Sequence, residues 1–98
     1  MAHRVIWSDE AVEDPQHISD YIARDSHHYA AAVVRRIVKS TRRLSRYPRS
    51  GRIVPEVGDQ RFREILVYSY RIIYRVDERT VTIEAIAHGK RSLHFDID

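Results

Sequence analysis

The sequence predicts an α+β domain: an N-terminal strand, then an antiparallel helical hairpin packed on one face of a small antiparallel β-sheet. Three observations carry this prediction. Up to Arg46, apolar residues recur at three- and four-residue steps; from Arg61 the period changes to two; and only very short breaks separate the β-rich segments that follow. Ninety-eight residues suit one domain, residues 1–98, with a single modest core. A chain 43% hydrophobic and 32% charged is balanced like a folded soluble protein rather than a disordered tail. The absence of cysteine excludes a disulfide scaffold and a thiolate metal site, and suits a reducing compartment. The longest apolar run, Ala30 to Val34, is too short to span a bilayer, and the N-terminus has no signal-like apolar region. A cytoplasmic location without membrane contact is the expectation.

His3 to Trp7 reads as a first strand. Ser8, followed by Asp9 and Glu10, is an N-cap with acids placed against the positive end of the helix dipole. Ala11, Ile18, Tyr21 and Ile22 follow a helical period toward Asp25, interrupted by Pro15, which predicts a break or kink there. Asp25-Ser26 caps a second helix over about 27–46, with Ala30, Val33, Val34, Ile37, Thr41 and Leu44 as its apolar stripe. Tyr47-Pro48-Arg49-Ser50-Gly51 ends it, and Pro55 and Gly58 keep the next stretch irregular. Arg61–Tyr68, Tyr70–Asp77 and Thr80–His88 then read as an antiparallel meander. With the second turn at Asp77 to Thr80, Val76 faces Val81, Tyr74 faces Ile83 and Ile72 faces Ala85. This register sets Arg71 and His88 together on the face away from the helices.

Charge is distributed unevenly. Between Asp25 and Glu56 there is no acid, but Arg35, Arg36, Lys39, Arg42, Arg43, Arg46, Arg49 and Arg52 are basic. Such a segment attracts a polyanion or an acidic protein partner. Metal chemistry has little to stand on: His27 and His28 are adjacent, His3, His17 and His94 share no ligand spacing with them, and no His-x-x-x-His pair occurs. Three glycines leave no phosphate-cradling loop, so no cofactor is expected. What remains is the open sheet face and its rim, with Arg71, Arg75, His88 and Arg91, and Arg61, Arg63 and Lys90 near it. Metal-free RNA cleavage needs a base for the 2′-hydroxyl, an acid for the leaving oxygen and a cation at the phosphorane. Glu56, His88 and Arg71 are the residue types for those roles. The plain alternative is an ion pair of Arg75 with Glu84 across the sheet.

The run Tyr70-Arg71-Ile72-Ile73-Tyr74-Arg75-Val76, followed by Val81, Ile83, Ile86, His88 and Arg91, resembles the C-terminal signature of RelE/ParE-superfamily toxins. Ile6-Trp7-Ser8, Tyr21-Ile22-Ala23, Tyr47-Pro48-Arg49-Ser50-Gly51-Arg52 and Val54-Pro55-Glu56 extend the resemblance over residues 4–93. It implies the toxin of a bacterial type II toxin–antitoxin module, hetero-oligomeric with a cognate antitoxin. An acidic or amphipathic antitoxin segment is expected either along the basic helix face, at Arg35, Lys39, Arg42 and Arg46, or as a strand added at the sheet edge. The superfamily implies two targets. ParE-like members poison DNA gyrase by protein contacts, and the helical hairpin with its Tyr-Pro-Arg-Ser-Gly-Arg exit looks more like these. RelE-like members cleave mRNA on the ribosome, and their site corresponds to Glu56, Arg71, His88 and Arg91. Arg61, Arg63, Arg75 and Lys90 would then bind target or RNA.

Overall fold

The computed structural model describes residues 2–11 and 27–88, with the side chains of 27–29 and 88 excepted. Ser8 caps a helical start at residues 9–11 as its position predicts: its hydroxyl accepts the Ala11 N–H at 3.1 Å. Pro15, the rest of the first helix, the Asp25-Ser26 cap, Lys90 and Arg91 lie outside the described residues.

Helix α1 spans His27–Arg42 and tightens into a 3-10 turn, Arg43–Ser45. Its buried residues Ala30, Val33, Ile37 and Thr41, continued by Leu44, are the stripe that the sequence spacing marks. The buried Thr41 hydroxyl is satisfied within the helix by donating to the Val38 carbonyl at 2.7 Å.

Five strands follow the order β1-β5-β4-β3-β2 in one sheet. They are β1 Arg4–Trp7, β2 Arg52–Ile53, β3 Phe62–Val67, β4 Tyr70–Val76 and β5 Thr80–His88. The meander of β3, β4 and β5 is antiparallel, and β1 lies parallel to β5, so the sheet as a whole is mixed. β2 is a two-residue strand in a stretch whose Pro and Gly predict irregular chain. The helices cover one face, over Ile72, Tyr74, Val76, Val81, Ile83 and Ile86.

The register of β4 on β5 departs from the simple expectation halfway along. Val76 faces Val81 and Tyr74 faces Ile83, but then Ile73 faces Ala85, Ile72 faces Ile86 and Arg71 faces Ala87. Glu84 is the extra residue of a β-bulge. The bulge turns Ile86 rather than Ala85 toward the helices, and three more buried carbons are worth roughly 2 kcal/mol. The displaced Glu84 carbonyl accepts from the Ser8 hydroxyl at 3.2 Å. One consequence is a correction: His88 stands opposite Tyr70 in the register, not beside Arg71.

A second correction concerns the far face of the sheet, which is not open. Ile73 is fully buried there with Val54 and Phe62, packed against Val57 of the loop and Ala85 and Ala87 of the neighbouring strand. The cover is the loop after β2, turned by N–H bonds from Val57 and Gly58 to the Val54 carbonyl at 3.1 and 3.0 Å. Gly58 sits at φ 69°, a left-handed conformation that glycine adopts without cost.

Candidate functional site

The covering loop delivers Glu56 onto Arg71. β4 presents Arg71 toward this face, where its side chain is only 8% exposed. Its guanidinium grips Glu56 with both ends: Nη1 donates to Oε2 at 2.7 Å and Nη2 to Oε1 at 2.8 Å. Deeper in, Nε donates to Glu64 Oε1 at 3.1 Å, and Nη2 donates to the same oxygen. Glu64, on β3, has a side chain with no exposure at all, and its other oxygen accepts from Arg52 Nε and Nη2 at 2.8 and 2.7 Å. Glu56, Arg71, Glu64 and Arg52 therefore form one alternating chain of two carboxylates and two guanidinium groups, with no net charge.

Buried charge persists only where it is paired and hydrogen-bonded, and the order of this chain meets that condition at each member. The hydrogen bond from Arg71 is the main reason that the Glu56 carboxyl is lowered from 4.5 to about 2, with desolvation opposing it. Arg71 is pushed further up by Glu56, then Glu64, against the cost of burial. At neutral pH Glu56 is ionised but a weak proton acceptor, and Arg71 has no free bidentate edge for a phosphate.

Gly51 and Tyr74 brace the cluster from the helix side. The buried Gly51 N–H donates to the Tyr74 hydroxyl at 2.9 Å. A Cβ on Gly51 would stand 2.5 Å from both that hydroxyl and the Glu64 carbonyl oxygen, so only glycine permits this approach. Burial pushes the Tyr74 phenol up.

The other residues singled out from sequence are placed as follows. Arg61 pairs with Asp59 at 2.9 Å and lies over the Phe62 ring. Arg63 donates to the carbonyls of Gln60, Arg49 and Gly51 at 3.1, 3.4 and 3.0 Å, fastening the loop before β2. Arg75 pairs with Asp77 at 3.0 Å and reaches Glu84 at 3.5 Å, the cross-sheet pair that its position suggests. Arg35, Lys39, Arg42 and Arg46 are exposed and make no ion pair among the described residues. The structure thus joins Glu56 to Arg71, as the sequence set requires, and adds Glu64 and Arg52, which sequence reasoning missed. The available signal was phase: Glu64 shares the inward parity of Phe62 on β3 and lies two pairs along, on the same face, from the Leu66–Arg71 pair. Among the described residues, no three His, Asp or Glu side chains converge to hold a metal ion.

Solved structures of the same shape are RelE/ParE-superfamily toxins. The chain is similar to the chromosomal ParDE toxin–antitoxin system of P. aeruginosa, at TM-score 0.74 and 20% identity, covering 89% of this chain and 96% of that one. It is similar to the RelBE2 toxin–antitoxin complex of Mycobacterium tuberculosis, at TM-score 0.63 and 24% identity, over 90% and 99% of the two chains. The free state of a double-arginine mutant of E. coli RelE gives TM-score 0.65 at 17% identity, over 92% and 86%. No curated protein matches the chain. The family itself is narrower: residues 5–93 match the family model described as ParE toxin of type II toxin-antitoxin system, parDE, and the chain belongs to that family.

Proposed function

We propose that this type II toxin arrests bacterial growth by poisoning DNA gyrase through protein contacts, in the cytoplasm, until a cognate antitoxin binds it. The observation that carries this reading is the occupied state of Arg71. A phosphorane is best held by a free bidentate edge, whereas Arg71 gives four of its five N–H groups, both bidentate edges included, to two carboxylates of its own chain. The family match and the likeness in shape to a ParDE system support the same reading. No helix among the described residues is long and apolar enough to cross a membrane.

The second reading, a ribosome-dependent mRNA endonuclease, is favoured by one contact: Glu56 and Arg71 do meet. For it to operate, the Glu56 loop must leave Arg71 when RNA enters.

One experiment separates the two. The wild-type chain is expressed in a pulse without antitoxin, and a translated transcript is mapped by primer extension while purified gyrase is assayed for supercoiling. Intact mRNA with lost supercoiling is the expected result. Cuts within codons that require translation, with gyrase unaffected, refute the proposal and establish the nuclease.

A further inference from the structure

The solvent side of α1 and of the turn after it carries Arg35, Arg36, Lys39, Arg42, Arg43 and Arg46, all exposed and in no ion pair among the described residues. Steps of four and three put Arg35, Lys39 and Arg42 in one row, opposite the buried stripe of Ala30, Val33, Ile37 and Thr41. Arg46 extends the row past the 3-10 turn, and Arg36 and Arg43 flank it. Like charges at these spacings repel, so the row works against the helix that carries it. The helix dipole compensates cations only in the last turn, at Lys39 and Arg42, and gives no reason for Arg35 and Arg36. Solubility is served by interspersed charges of both signs, whereas no acid lies between Asp25 and Glu56.

The row has the dimensions of a nucleic-acid strand. From Arg35 to Arg46 the chain advances roughly 16–18 Å, and one strand of duplex DNA sets a phosphate every ~3.4 Å of its axis, so about five phosphates fall within that length. At the end of the row, Lys39, Arg42, Arg43 and Arg46 are among the residues around a hollow of about 430 Å³, wide enough to take a phosphate between them. An acidic protein suits the face less well, because protein interfaces centre on apolar anchors. Among the described residues, the exposed large apolar side chains, Ile6, Tyr47, Ile53, Leu66 and Tyr68, all lie off α1. A single strand suits it less well too, since the row holds no aromatic ring on which bases could stack.

We propose that this row binds the phosphate backbone of duplex DNA, without regard to sequence. Each cation takes a phosphate oxygen in a charge-assisted hydrogen bond, which positions the duplex and reads no base. The choice of DNA over RNA rests on the gyrase reading above: gyrase handles duplex DNA, and a toxin held to that duplex meets the enzyme at raised local concentration.

The test measures fluorescence anisotropy of a labelled DNA duplex of about 20 base pairs with the full chain made by cell-free synthesis. About four phosphate contacts give a slope of log affinity on log salt near −3.5, a loss of roughly a hundredfold between about 50 and 200 mM salt. Arg35→Ala, Lys39→Ala, Arg42→Ala and Arg46→Ala should each bring the slope about one unit closer to zero, equally on two unrelated sequences. Alanine suits exposed helix positions, so these variants keep the fold. Gln60→Glu makes the same change of net charge on the exposed loop across the sheet and should leave the slope unchanged. Absence of binding at low salt, or an equal effect of Gln60→Glu, overturns the inference. An RNA duplex bound about tenfold tighter, or polyglutamate bound more tightly than DNA, gives the face to RNA or to an acidic protein and also overturns it. Gyrase assayed in parallel separates the two readings. Supercoiling lost without DNA binding overturns this inference alone, and DNA binding with supercoiling intact refutes the gyrase reading alone.

Discussion

Replacing Arg71 with alanine tests whether the charge chain is a structural clasp. The substitution strands Glu64, whose side chain has no exposure, with only Arg52, whose own side chain is 63% exposed. Removing one partner of a buried ion pair costs about 3–5 kcal/mol, because the remaining charge is neither solvated nor balanced. A domain of this length has roughly 5–15 kcal/mol of stability in total, so about a fifth or more is at stake. At about 4–8 °C per kcal/mol for a small domain, the midpoint should fall by roughly 12–40 °C. Urea unfolding followed by the fluorescence of Trp7, the sole tryptophan, gives the difference directly. The cycle is completed with Glu64→Leu and with Arg71→Met/Glu64→Leu. The double variant should recover most of the loss, since the two charges that it leaves unpaired, Glu56 and Arg52, both reach solvent, and no fully buried charge remains. A loss below 1 kcal/mol in Arg71→Ala, or strict additivity in the cycle, refutes the clasp. The result also bears on toxicity assays: a harmless Arg71→Ala chain is not evidence of catalysis unless it is shown to be folded.

Three further outcomes follow from the same geometry. The Glu56 carboxyl is lowered from 4.5 to about 2 in the folded chain, so its contribution is full above about pH 5 and is lost as pH falls toward 2. Glu56 is one-third exposed, which limits that contribution to roughly 1 kcal/mol; urea midpoints for Glu56→Gln should decline less between pH 5 and 2 than for wild type, and matching acid limbs contradict the assignment. Gly51→Ala forces a Cβ against the Glu64 backbone and should cost about 2 kcal/mol or more, read by thermal melting; an unchanged midpoint means the approach is looser than described. Tyr68 holds φ 54° in the β3–β4 turn, where a tyrosine pays about 1 kcal/mol, so Tyr68→Asn should raise stability by roughly 0.5 kcal/mol, and a fall in midpoint shows that the ring's contacts outweigh the strain.

Much of this architecture was legible in local chemistry. Ser8 announced its cap, the Ala30–Leu44 stripe announced the buried face of α1, and Asp77 to Thr80 announced the turn that aligns Val76 with Val81. The misread register has a cause that was itself visible: Ile83 and Ile86 are three apart, a spacing no regular strand can bury on one face. Nothing local could show that the loop after β2 closes over Ile73, because that depends on Val54 and Val57 meeting a face formed by chain more than fifteen residues later. The same long-range closure made Glu56 reach Arg71 and hid Glu64, whose burial is tolerable only once both arginines are in place.

The bulge at Glu84 makes β5 a strand with two allegiances. Before it, Val81 and Ile83 serve the helical layer; past it, Ala85 and Ala87 serve the small core under the loop while Ile86 keeps a place under the helices. Deleting this one residue would rotate everything downstream by half a strand period and turn the small residues beneath the loop into a bulky one. Glu84 thus fixes the reading frame of the sheet in space, and the two cores inherit their separate identities from a single added residue.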